Sequence, residues 1–306
     1  MDHGPHRLVP YFARALWGGG MDGWRNAPWE DASESWEVSA RPGKETLLED
    51  GTPLSAYIDS LVHLRIFGRL KPFPMLIKVI APRLHLSVQV HPDEETCRLT
   101  GGESKAEAWI VLHAPPGAFF YAGLKIPAEE LPRALEEGRI VSCLHRVSVK
   151  TGDCIWIPGG LVHALTPGVM VYEIQQSSDT TFRIYDWDRL DANGKPRSLH
   201  LREAVLAVKD FPPVAPIQGA VSVLEGGSRE RLLQHPDFCL DALHIDGILR
   251  ESVSYFTALT VTQGEGALLW KGKEFPMVRG ETWLAPVGVD TVLFRGKMEI
   301  LKAYLF

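Results

Sequence analysis

Cysteine is scarce in this chain: Cys97, Cys143, Cys154 and Cys239 stand singly, and no two share a C-x-x-C spacing. That pattern excludes a thiol-framed zinc finger and a disulfide-stapled secreted scaffold, and it predicts reduced thiols. Long apolar runs are missing too. No stretch approaches the ~20 apolar residues that a bilayer-spanning helix needs, and the first residues, with Asp2, His3 and early prolines, form no apolar segment of secretory type. Positive charge is short: the formal net charge is -6, with no basic segment and no helix-turn-helix pattern, which argues against a nucleic-acid partner. A cytoplasmic chain with neither membrane nor nucleic acid as partner is therefore expected. What is present is ordinary for a globular enzyme: 306 residues, 45% of them hydrophobic and 23% charged, enough for a large core and more than one domain.

Strand-like runs bounded by Gly and Pro dominate, at 76–80, 84–90, 108–113, 154–157 and 169–175. Helical patterns interrupt them at 54–67 and 127–137. In the second, Pro127 stands at the first turn, Glu129 and Glu130 favour the helix dipole, and Gly138 falls just past the end. A short helix is expected between His91 and Glu107 and another over 199–208, followed by a proline-rich linker at 211–216. The expectation is a mainly β protein with short helical insertions.

The segment Gly152-Asp-Cys-Ile-Trp-Ile-Pro-Gly-Gly-Leu-Val-His163 has the spacing G-x5-P-x-G-x2-H and resembles the second cupin motif. Glycines stand where the chain must reverse at φ values other residues resist, and a proline fixes the turn before the next strand. An imidazole then points inward at His163. Upstream, Gln89 and His91 lie two apart on a predicted strand and so share a face, and Glu107 follows after a loop or short helix. Gln89, His91, Glu107 and His163 make a mixed nitrogen and oxygen shell that suits Zn2+ and admits other divalent metals.

Several blocks in order are similar to type I phosphomannose isomerases of the short bacterial kind. They are Leu16-Trp-Gly-Gly19, Glu34-Ser-Trp-Glu-Val-Ser39, Phe73-Pro-Met-Leu-Ile-Lys78, Ser87-Val-Gln-Val-His-Pro-Asp93, Lys105-Ala-Glu-Ala-Trp109 and the run from Glu173 to Arg189. The chain departs from that pattern at Gly20-Met21. The resemblance implies a jelly-roll cupin barrel and interconversion of mannose 6-phosphate and fructose 6-phosphate. It also implies zinc at the residues named above, with Lys105, Glu173 and Arg183 lining the active site. A phosphorylated hexose is then the expected partner. For proton transfer between C1 and C2, Glu173 is the first choice of base and Lys105 the second, while Arg183 suits the phosphate or the enediolate.

A weaker copy of the turn pattern, Gly280-Glu-Thr-Trp-Leu-Ala-Pro-Val-Gly-Val-Asp-Thr291, has threonine where the first has histidine, and the strand before it carries no Gln-x-His pair. This predicts a catalytic metal-binding domain at 1–210 and a degenerate cupin without metal ligands at 217–306. Two other functional classes fit the same ligands: an iron-dependent cupin oxygenase and a non-catalytic sugar-binding cupin. Bland readings compete at single residues. His85, His113, His145 and His200 read as surface or packing histidines, and Trp17, Trp36 and Trp109 as core or rim aromatics. Glu173 with Arg183 could be a cross-strand ion pair, and Asp186, Asp188 and Arg189 could close a strand in a solvated turn. Composition leaves oligomeric state open.

Overall fold

The computed structural model describes residues 4–25, 27–61, 73–191, 193–253, 256–286 and 288–305. Its strands form three antiparallel sheets. A six-stranded sheet runs in the order Cys154–Ile157, Glu107–His113, Met170–Gln176, Met75–Ile80, Ala32–Val38 and Tyr11–Arg14. A five-stranded sheet faces it, in the order Phe182–Tyr185, Val88–Val90, His163–Ala164, Phe119–Leu124 and Leu144–Ser148. Trp109, Val111, Ile155 and Val171 from the first pack against Phe120, Ala122 and Val147 from the second. This two-layer β sandwich matches the expected mainly β class.

The other face of the six-stranded sheet is covered as well. Ile77, Val79, Ile110, Tyr172 and Ile174 pack there against Phe238, Leu240, Ala258, Leu284 and Leu301 of the third sheet. A strand buried on both faces needs no polar alternation, which explains why all six residues of Met75–Ile80 are buried. Each large apolar side chain so enclosed stabilises the fold by about 1.5–3 kcal/mol relative to exposure. On its outer face the five-stranded sheet carries two short helices, Leu131–Glu136 and Leu201–Ala207, whose Leu131, Ala204 and Ala207 cover Val88, Val90, Phe182 and Ile184.

The helical expectations hold in part. Leu54–Leu61 is helical, and the remainder of the pattern expected to reach 67 lies outside the described residues. The expected 127–137 helix divides into a 3-10 turn, Ala128–Glu130, and the α-helix Leu131–Glu136. A one-turn helix, Cys97–Thr100, lies between His91 and Glu107. One strand was expected too long: only Val88–Val90 pairs, and Leu84, half exposed, belongs to the incoming loop. Among the described residues no helix is long and apolar enough to cross a membrane, and all four cysteines are free thiols.

The third sheet has nine strands, among them Gly227–His235, Phe238–Val253, Asp290–Tyr304, Thr257–Trp270 and Thr282–Ala285. His6–Val9 joins it by pairing with Thr282–Ala285. The long strands fold over on themselves. Lys302 pairs in the ladder with Asp241, yet its Nζ lies 2.7 Å from Oε1 of Glu251. A straight strand would hold Asp241 and Glu251 roughly 33 Å apart. The fold line is a row of glycines. Gly296 pairs with both Gly247 and Gly266, and a Cβ on Gly296 would lie 2.7 Å from the Cα of Gly266.

Candidate active site

Two transverse rows of side chains face each other across the sandwich. In the six-stranded sheet the register places Tyr11 beside Trp36, Trp36 beside Lys78, Lys78 beside Glu173, Glu173 beside Trp109 and Trp109 beside Ile155. Residues directly opposite in antiparallel strands share a face, so a buried lysine and a buried glutamate lie between two tryptophans. In the five-stranded sheet the matching row is Arg183, Gln89, His163 and Ala122.

The turn before His163 is pinned to the chain just past the strand Val88–Val90, where His91 stands. Gly160 has φ 92° and its N–H donates to the His91 carbonyl at 2.8 Å. A Cβ on Gly159 would meet the Asp93 backbone at 2.8 Å. Backbone carbonyls then set both imidazoles. Nδ1 of His91 lies 2.9 Å from the Thr180 oxygen and Nδ1 of His163 lies 2.9 Å from the Leu161 oxygen. Only an N–H can meet a carbonyl, so each Nδ1 donates and each Nε2 presents a lone pair. These lone pairs point at Glu107: His91 Nε2 is 3.5 Å from Oε2 and His163 Nε2 is 3.4 Å from Oε1.

The ligand atoms of His91, Glu107 and His163 lie within 4.8 Å of one another, and all three residues are buried. Nε2 of His91 and both carboxylate oxygens of Glu107 lack a hydrogen bond of good geometry, although the Lys105 ammonium stands 3.2 Å from Oε2. Unsatisfied polar atoms buried together are costly. Two imidazole lone pairs and a carboxylate aimed at one point fit a divalent cation. Burial drops His91 well below the ordinary imidazole range and brings His163 to about 4, so both are neutral and ready to ligate. Glu107 is pushed up to about 7, first by burial and then by the charge of Glu173. The Gln89 amide nitrogen is 3.2 Å from Nε2 of His163. Rotating that amide by half a turn exchanges its nitrogen for its oxygen, so Gln89 stands where a fourth ligand is expected.

Glu173 accepts a hydrogen bond from Trp109 Nε1 at 3.0 Å, and its other oxygen is 3.6 Å from the Lys78 ammonium. Burial alone would raise its pKa, but Lys105 and Lys78, with the Trp109 hydrogen bond, more than offset that, and the pKa is lowered. The cation beside Glu173 is thus Lys78. Arg183, half-buried, donates from Nη1 to the Ser198 oxygen at 2.8 Å, and its Nε has no hydrogen bond.

The two rows wall a cavity of about 490 Å³. Trp17, Trp36 and Trp109 line it although each is buried, and Arg14, Lys44, Arg183 and Arg197 supply positive charge. Lys44 is 2.7 Å from Asp179 and 4.7 Å from the centre of the Trp36 ring. Lys78 approaches the same ring to 4.5 Å.

Two readings are corrected. His200 is no bystander: it lines the cavity, and its Nδ1 accepts from the Arg183 backbone N–H at 3.1 Å. Asp186 is buried, not solvated, and binds both Arg189 and Arg197. Trp187 and Asp188 take left-handed φ of 58° and 54° in a turn that stacks Trp187 on His85. Lys78 was not anticipated as a site residue. The signal was present, since it is the lone charge in the apolar run Met75-Leu-Ile-Lys-Val-Ile80.

The chain is 30% identical over 310 residues to the mannose-6-phosphate isomerase of Streptococcus mutans, covering 98% of each protein. The chain belongs to the mannose-6-phosphate isomerase family. It is also 30% identical over 313 residues to the mannose-6-phosphate isomerase ManA of Bacillus subtilis, covering 98% of this chain and 99% of that protein. Among solved structures, the mannose 6-phosphate isomerase of Bacillus subtilis superposes with a TM-score of 0.91 at 28% identity, covering 99% of this chain and 100% of that one. A mannose 6-phosphate isomerase bound with zinc and yttrium shares the fold at a TM-score of 0.75 and 15% identity, over 99% of both chains. No family model matches the chain.

Proposed function

We propose that this member of the mannose-6-phosphate isomerase family interconverts mannose 6-phosphate and fructose 6-phosphate, with zinc held by His91, Glu107, His163 and Gln89. The observation that carries the reading is the convergence of His91, Glu107 and His163 within 4.8 Å beside a cation-lined cavity. A bound dication supplies Lewis-acid polarisation of the sugar oxygens. The zinc in a structure of the same fold supports zinc first among the divalent metals. Glu173, kept ionised by Lys105 and Lys78, is the base that moves the proton between C2 and C1. Lys105, 3.2 Å from Glu107, is the alternative donor and acceptor. Arg183 takes the phosphate with the part of its guanidinium that Ser198 does not occupy. A cavity of about 490 Å³ lies in the range that holds a small ligand.

The oxygenase and sugar-sensing readings are not favoured, because a wall bearing Lys78, Lys105, Arg183 and Arg197 suits an anionic substrate and carries acid-base groups of its own. We also propose the division into a catalytic unit at 1–210 and a second unit at 217–306, with His6–Val9 lent to the nine-stranded sheet. The free cysteines support a cytoplasmic setting. A coupled assay with mannose 6-phosphate, before and after chelation and after zinc is restored, tests the function. Chelator-sensitive turnover recovered by zinc is expected. No turnover by folded, metal-loaded protein overturns it.

A further inference from the structure

The nine-stranded sheet repeats the six-stranded one strand for strand. Ala220–Leu224, Gly227–His235, Phe238–Val253, Asp290–Tyr304, Thr257–Trp270 and Thr282–Ala285 lie side by side in the order that Tyr11–Arg14, Ala32–Val38, Met75–Ile80, Met170–Gln176, Glu107–His113 and Cys154–Ile157 follow in the first. Matching Gly152 to Gly280 puts Trp283 in the place of Ile155. Through the ladder, Leu259 then takes the place of Trp109 and Lys302 that of Glu173. One strand further, Asp241 stands where Lys78 does, and beyond it Arg231 where Trp36 does. The oppositely charged cross-strand pair of the active-site row is thus present a second time, with its charges exchanged.

Buried charges are costly unless they are paired, and these border a cavity. Asp241, Glu251 and Lys302 are 1%, 2% and 7% exposed, and with Arg229, Arg231 and Tyr304 they line a space of about 180 Å³. Both oxygens of Glu251 are taken: Lys302 Nζ donates to Oε1 at 2.7 Å, and Arg229 Nη2 reaches Oε1 at 2.9 Å and Oε2 at 2.7 Å. Donor capacity remains. Nε of Arg229 is buried and makes no hydrogen bond. Nε of the half-exposed Arg231 is 3.5 Å from Oδ1 of Asp241, longer than an ordinary N–H···O bond. Three cations face two carboxylates around the cavity, so one positive charge is unbalanced.

We propose that this second cavity binds a small oxyanion, inorganic phosphate or a short carboxylate, held by Arg229 and Arg231 with the charge of Lys302 in support. The planar, permanently charged forks of the two arginines match the oxygens of such an anion, and Glu251 holds one of them in place. The anion brings the negative charge that the side chains lack. A space of about 180 Å³ falls below the roughly 300–1,000 Å³ of sites that enclose larger ligands, which limits the occupant to a few heavy atoms.

Isothermal titration calorimetry of the full chain with inorganic phosphate, and separately with acetate, reads how many anions bind. The first cavity is lined by Arg183 and can take an anion of its own, so variants assign the events. Arg229→Lys keeps a cation for Glu251 but loses the planar fork, and Arg231→Gln removes a half-exposed charge. Each should weaken one binding event by about tenfold or more and leave alone the event that Arg183→Ala weakens. Thermal unfolding without anion identifies the folded variants. Loss of phosphate affinity, acetate affinity or both in these variants supports the site and tells the two ligands apart. Binding confined to the Arg183-dependent event, or untouched in every folded variant, overturns the proposal and leaves an internal ion-pair network. A chain that does not turn over mannose 6-phosphate would not alter this count, so the two proposals fall separately.

Discussion

The same turn occurs twice in this protein, once before a proposed metal ligand and once before a threonine. Gly152 and Gly280 open it at φ 93° and 87°, and Gly160 and Gly288 close it at 92° in both. The strands Cys154–Ile157 and Thr282–Ala285 lie between. After the first turn His163 is wholly buried among ligand atoms, and after the second Thr291 is exposed. The strands beyond the second turn enclose an apolar core that includes Trp270, Met277, Phe294 and Met298. The turn is thus a scaffold that aims a strand. What the strand does depends on the residues its neighbours send to the same place.

The largest expected effect is at the ligands. His163→Ala should weaken metal binding by ~10²-fold or more, read as metal content after dialysis, with turnover lost alongside. Thr291→His should leave the stoichiometry at its native value, since an exposed imidazole without Glu107 and His91 beside it is no site; a second ion bound there would break the comparison. Next, Glu173→Gln should keep its metal and lose ~10²–10⁴ in kcat. An unchanged rate would move the proton transfer to Lys105.

Two smaller effects sharpen the contrast. Alanine at Gly160 or Gly288 meets the left-handed penalty of about 1–2 kcal/mol. A Cβ on Gly160 would also press the Ala207 carbonyl at 3.1 Å, whereas Gly288 has open space around it. Gly160→Ala should therefore lower the denaturant midpoint more, by about 1 kcal/mol of stability. The smallest effect concerns pH. Glu173 has a lowered pKa in the fold, so the stability tied to its ionised form is present above the unfolded value and lost as pH falls through the folded one. Lys78→Met removes one of the cations that lower it and should move the acid limb of kcat to higher pH. An unmoved limb would show that Lys105 alone keeps Glu173 ionised.

The sequence was most legible where chemistry depends on local spacing. Gln89 on its strand and His91 one residue past the strand's end stand two apart, and the Gly152–His163 turn is written in its glycines and proline, so those candidates meet at one place. It was least legible across strands. The row from Trp36 through Lys78 and Glu173 to Trp109 joins four separate segments, and nothing within any one of them names its lateral neighbour. Asp186 looked solvated because its partner Arg197 comes from a later loop. The strand expected from residue 84 begins at Val88 because the chain before it pairs with no neighbouring strand; alternation alone does not report where a partner is missing.

The row of Gly247, Gly266 and Gly296 carries a last consequence, for sequence drift. At most buried positions a methyl more or less is absorbed by repacking. At this fold line the neighbour is backbone, which has no rotamer to change. A saturation library of the second unit should therefore return glycine and nothing else at position 296, while Thr291, a few residues away, accepts nearly the whole alphabet. The unit that holds none of the proposed metal ligands would then hold one of the protein's least replaceable residues.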